Sequence, residues 1–149
     1  MYHPTAGRLS IGAVLLFSAC AGDSSEPREV TIAPVGNEMR YAVTEFTVRP
    51  GQQVHLIFNN TATSPAMRHN VVILEDEEAI DRVGMAGVQV GEAADYVPQD
   101  DAIIAYTPMS DPGQTMDVTF TAPEAVGDYP YICTFPGHYA LMQGTMRVQ

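Results

Sequence analysis

From residue 30 onward, apolar side chains fall in short runs separated by turn residues, and the 3.6-residue period of a helix is almost absent. In 53–59, Val54, Leu56 and Phe58 alternate with His55 and Ile57, as a strand buried on one face requires. Val118 and Phe120 keep the same phase in 115–121, and Pro50-Gly51 supplies a turn ahead of 53–59. Strands are predicted over 30–34, 41–49, 53–59, 69–75, 102–106, 115–121, 127–133 and 144–148, the pattern of an all-β antiparallel sandwich or barrel. The stretch 76–97 breaks this pattern, acidic at first and then rich in glycine and alanine (Gly84, Gly87, Gly91, Ala93, Ala94). It reads as a crossover flap with a short helix over 77–85.

The first residues have another character. A weakly basic start (His3, Arg8) leads into the apolar run 9–17, then small residues and Cys20. This is the form of an export signal, and the run is too short to span a bilayer. Cys20 stands where a lipoprotein signal places its acylated cysteine, which gives a signal peptide over 1–19, a flexible tether over 20–29 and one domain over 30–149. Ala19-Cys20-Ala21 also fits an A-x-A cleavage site, which would discard Cys20 and release a soluble protein. The lipoprotein route is preferred, with attachment to the membrane through lipid on Cys20. Both routes export the chain to a periplasmic or cell-surface location, where Cys133 becomes an effectively lone thiol that needs protection or a ligand.

Charge narrows the partners. With 18 acidic residues against 7 basic ones, all arginine, the formal charge of -11 repels nucleic acid and anionic lipid. It suits a basic protein partner, or serves solubility alone. The run Glu75-Asp76-Glu77-Glu78 with Asp81 is read as a solvated face. His55 is read as an exposed strand residue, and Met39, Met85, Met109, Met116 and Met146 as packing residues.

The chemistry concentrates in Tyr131-Ile132-Cys133-Thr134-Phe135-Pro136-Gly137-His138-Tyr139-Ala140-Leu141-Met142, which spaces Cys, His and Met as C-x4-H-x3-M. A thiolate and imidazoles about a trigonal metal, with a long thioether contact on the axis, is the donor set of blue-copper electron-transfer sites. His69, opening the apolar run after Met67-Arg68, supplies the second imidazole. Tyr129, Tyr131 and Cys133 share a strand face, so the thiol points into the loop; Pro136 and Gly137 turn His138 back towards it. Backbone N–H groups of Asn70 and Phe135 are expected to donate to the sulfur, and the Asn70 side chain to tie its strand to Thr134.

On these residues the chain resembles the azurins and auracyanins: the copper loop from Cys133 to Met142 with Gly144-Thr145, the first-histidine segment from Met67 to Val72, and Ile103-Ile104-Ala105-Tyr106-Thr107 with Val118-Thr119-Phe120. The resemblance spans about 30–149. It implies the cupredoxin fold, an eight-stranded Greek-key sandwich, and one type 1 copper ion cycling between Cu(I) and Cu(II). The implied ligands are His69, Cys133, His138 and, weakly and axially, Met142. It further implies a monomer that shuttles electrons between larger redox proteins, such as a cytochrome or a respiratory or photosynthetic complex. His138 would emerge through an apolar docking patch of Met67, Phe135, Gly137 and Ala140. Arg68 departs from the pattern, standing where azurins carry a glycine whose carbonyl approaches copper; that contact is left open here. The early disulfide and the tryptophan after the first histidine are also missing, with Val71 in the latter's place.

Catalysis at copper is disfavoured, since outside the leader only His55, His69 and His138 are present and one spare histidine cannot build a further copper site. A storage or delivery protein using the same residues is the alternative. A metal-free adhesion-like sandwich requires Cys133 to be dispensable.

Overall fold

The computed structural model describes residues 26–149; the expected signal peptide 1–19, Cys20 and the start of the tether lie outside the described residues. Two sheets face each other. One contains β1 (Arg28–Ile32), β3 (Gln53–Asn59) and β6 (Thr115–Thr121) in the order β1-β3-β6. The other has the order β2-β8-β7-β4-β5, formed by β2 (Glu45–Val48), β4 (Val72–Leu74), β5 (Ile103–Tyr106), β7 (Gly127–Ile132) and β8 (Gln143–Val148). The alternation read in 53–59 is the burial pattern of β3: Val54, Leu56 and Phe58 are fully buried, and His55 and Ile57 face outward and are half-buried. With Ile32, Tyr41, Val48, Tyr131 and Met146 they fill the space between the sheets.

The eight strands make the expected sandwich, with two differences in pairing. β1 runs parallel to β3, and β2 parallel to β8; the remaining pairs are antiparallel. The chain crosses from one sheet to the other and back between β1, β2 and β3, so β1 and β3 run the same way. Two strands are shorter than predicted. Tyr41 forms only an isolated bridge with Pro34, and the chain rejoins a sheet at Glu45. His69 likewise forms only a bridge, with Ser110, before β4 starts at Val72.

The flap holds a longer helix than its glycines suggest, α1 (Ala79–Val90), followed by a 3-10 turn over Glu92–Ala94. Asp76 Oδ1 accepts the Ala79 N–H at 2.9 Å and satisfies one free donor of the first turn. Ala79, Val83, Gly84 and Gly87 form the buried face, and Val83 and Ala79 pack with Val72, Leu74 and Ile132 in a second, smaller core. β4 is therefore buried on both faces. A Cβ on Gly84 would lie 2.2 Å from the Tyr139 ring, and one on Gly87 2.4 Å from the Tyr96 carbonyl oxygen. Both glycines are there because the helix lies this close to its neighbours. Among the described residues no helix is long and apolar enough to cross a membrane.

Candidate metal centre

Register brings the two ligand segments together. Val72 of β4 opposes Ile132 of β7 in an antiparallel pair, so the residues before Val72 and after Ile132 emerge at the same end of the sandwich. His69 belongs to the first group and Cys133 to the second. The β7–β8 connection closes on itself there: Cys133 N–H donates to the Met142 carbonyl at 3.1 Å, and Met142 N–H donates to the His138 carbonyl at 2.8 Å. Inside it, Phe135-Pro136-Gly137-His138 is a turn with a 2.9 Å bond from His138 N–H to the Phe135 carbonyl and φ of 82° at Gly137. Proline then positive-φ glycine at the central positions is a type II turn, and it aims His138 inward.

Three donor atoms converge. His69 Nδ1 and His138 Nδ1 are 3.1 Å apart, and Cys133 Sγ is 3.7 Å from each. The centre of such a triangle is about 2 Å from every corner, close to metal–imidazole and somewhat under metal–thiolate bond lengths. All three residues are buried, with only 4% of His138 exposed. Among the described residues they form the only cluster of at least three His, Cys, Asp or Glu ligand atoms close enough to share an ion. His69 Nε2 has no hydrogen-bond partner among the described residues, so the ring's polar contacts are those of Nδ1 at the centre. The residues fit a single copper ion, and the two nitrogens and one sulfur match its trigonal preference.

Burial sets the charge state of the triad's own side chains. It lowers His69 to about 4, with help from neighbouring His138, and lowers His138 too. It pushes the Cys133 thiol up to about 12, against the pull of hydrogen bonds from the Asn70 and Phe135 backbone N–H groups. The metal-free centre is thus uncharged near neutral pH, and those two amides are already aimed at the sulfur. Asn70 also bridges the segments: its Nδ2 donates to Thr134 Oγ1 at 2.8 Å, and Thr134 N–H donates to its Oδ1 at 2.9 Å. Buried Tyr41 donates from its hydroxyl to the Asn70 carbonyl at 2.5 Å.

The Arg68 side chain reaches Glu92 and Asp111. Burial acts to lower its pKa, but the Glu92 hydrogen bond and the contacts with Asp111 raise it overall. Around His138 the surface is apolar. Phe135 packs on the His138 ring with centroids 4.9 Å apart; Met67 is half-buried, and Gly137 and Ala140 are exposed. Sequence reasoning missed two contributors. Leu141, 65% exposed, and Met39, 36% exposed, line a groove with Met67. For Leu141 the signal was available, since an apolar residue between the exposed loop turn and the buried Met142 has no core to enter. Met39 gave none, because its place beside Met67 depends on the 36–40 turn.

A family model described as copper binding proteins, plastocyanin/azurin family, matches residues 28–149. The chain is 42% identical to auracyanin-A of Chloroflexus aurantiacus over 147 residues, covering 90% of this chain and 89% of that protein. It is 35% identical to azurin-2 of Alcaligenes xylosoxydans xylosoxydans over 116 residues, 74% of this chain and 89% of that one. The solved structure of auracyanin A, a "blue" copper protein from that thermophilic photosynthetic bacterium, aligns with a TM-score of 0.77 at 42% identity, covering 83% of this chain and 100% of the other.

Proposed function

The chain belongs to the plastocyanin/azurin family of copper-binding proteins, electron-transfer proteins rather than enzymes, and from that membership we propose a specific role. It carries single electrons between exported redox partners, with one copper ion that His69, Cys133, His138 and, weakly, Met142 would hold. The observation that carries this reading is the buried triangle of two imidazole nitrogens and one thiol sulfur beneath an apolar surface.

When bound, copper supplies the one-electron Cu(I)/Cu(II) couple. The chain's own residues do the rest. The sandwich fixes His69 and Cys133 through the ends of β4 and β7, so little rearrangement would accompany a change of charge. Amides of Asn70 and Phe135 stabilise negative charge on the sulfur. Met142 is fully buried, and its peptide is tied to both Cys133 and His138, so its thioether would be available to the metal as a weak further donor. The Arg68 carbonyl is assigned no ligand role. Met67, Phe135, Gly137 and Ala140, extended by Met39 and Leu141, form the face a partner meets, and the acidic surface favours a basic protein partner such as a cytochrome. The protein acts as a monomer, exported and anchored through lipid on Cys20.

Voltammetry of the copper-loaded domain tests the role. A carrier gives a reversible one-electron wave and keeps its metal through repeated cycles. A protein that sheds copper on reduction would instead be a delivery protein. Intact mass after expression in a bacterial host tests the anchor: a diacylglyceryl adduct on Cys20 supports it, and cleavage after Ala21 excludes it.

A further inference from the structure

One guanidinium joins three segments at the copper end. Arg68 Nη1 donates to Glu92 Oε1 at 2.8 Å, and Arg68 Nε lies 2.6 Å from Asp111 Oδ1. Each acid adjoins residues that touch the ligand segments. Asp111 follows Ser110, whose N–H and C=O exchange hydrogen bonds with His69 at 2.8 and 3.1 Å. Glu92 opens the 3-10 turn, and the two residues after that turn reach both ligand segments: the Asp95 carbonyl accepts from Asn70 Nδ2, beside His69, at 3.3 Å, and the Tyr96 ring meets Phe135 of the copper loop with centroids 5.4 Å apart. Asp95 and Tyr96 have φ of 51° and 56°, backbone angles that residues with side chains hold only where their surroundings impose them.

We propose that Arg68 is a positioning residue, an ion-pair clasp that fixes the His69 segment between the flap and the 110–114 loop and slows loss of the metal. The inference rests on the metal site and not on the electron-carrier reading. Arginine suits the task because its broad guanidinium meets carboxylates from two separate segments at once, through a hydrogen bond from Nη1 to Glu92 and a charge contact at Nε with Asp111. A lysine would offer a single point charge. The Arg68 side chain is only 22% exposed, but Glu92 and Asp111 are 70% and 53% exposed, so salt weakens the clasp. That sensitivity is a signature that simple loss of packing lacks.

The test uses the full-length copper-loaded protein, reduced, with bathocuproine disulfonate added to strip Cu(I) in low salt and in about 1 M NaCl, where the screening length is about 3 Å. R68A releases copper about tenfold faster than the parent in low salt, the effect of two modest ion pairs, and the gap closes in high salt. R68K falls between them. R147A removes comparable pairs with Asp128 and Glu45, at the end of β7 and β8 away from the ligands, and releases at the parental rate. If R68A does not fold, E92Q and D111N each remove one arm and each accelerates release about threefold. Parental rates in the clasp variants, or equal acceleration in R147A, overturn the proposal. A Cu(II)-loaded parent with only weak colour before reduction would contradict the carrier reading, and the release ratios would still decide the clasp.

Discussion

Asn70 holds two ligand segments with one side chain. Asn70→Ala leaves the buried Thr134 N–H without its acceptor, a loss of about 1–3 kcal/mol, to be measured by guanidinium unfolding of the apoprotein. Its backbone amide also loses its fixed aim at Cys133, so the copper potential moves by roughly tens of millivolts; an unchanged potential removes Asn70 from the sulfur's surroundings. Titration follows from burial of the ligands. Between the unfolded value of 6.5 and the folded value of about 4, unfolded His69 binds more protons than folded His69. Apoprotein stability is therefore complete above pH 6.5 and falls as pH drops towards 4, on the order of 3 kcal/mol, with His138 acting in the same direction. Cys133, raised from 9.0 to about 12, acts at the other end: its contribution is complete below pH 9 and is lost as pH rises towards 12. Melting temperature against pH checks both limbs. The protonated thiol also requires that Cu(II) binding near pH 7 release about one proton, read by calorimetry in buffers of different ionisation heat. Release of none would mean that the sulfur does not bind the metal.

At the scale of elements, α1 makes two close approaches, one to Tyr139 of the copper loop and one to the backbone at Tyr96. Gly87→Ala meets backbone, the Tyr96 carbonyl, and Gly84→Ala meets the root of the Tyr139 ring, which ring rotation does not move. Each substitution therefore destabilises by about 1–3 kcal/mol in the same unfolding experiment; parental stability would mean that the helix is free to shift. These glycines are also why the helix was underread. In sequence they look like breaks, and only the packed neighbours explain them. The strands were far more legible, since alternation such as Val54, Leu56, Phe58 records a buried face directly. Their pairing was not, because the parallel partnership of β2 with β8 joins residues about a hundred positions apart and leaves no local mark. The short β4 was hidden for a similar reason: His69 and Val71 are as apolar in setting as a strand requires, but their partners are Ser110 and Thr107 in a loop.

Over the whole molecule, the candidate site was easier to read than the fold around it. Cys133, His138 and Met142 lie in one short loop, so their spacing carries the chemistry, and His69 needed only the ends of β4 and β7 to coincide. The groove proposed to meet a partner could not be read from local sequence, because it joins Leu141 and Met67 to the distant 36–40 turn. Leu141→Asp is expected to slow electron self-exchange about tenfold while leaving the visible spectrum as it was, since the residue is exposed and is not a ligand. An unchanged exchange rate would move the contact face elsewhere. The most direct test of the central claim is the visible absorption of the Cu(II)-loaded protein through a cycle of reduction and reoxidation. An intense thiolate-to-copper band that bleaches and returns in full is the expected result; bound copper with only weak colour would contradict it, because Cys133 would then not be a ligand.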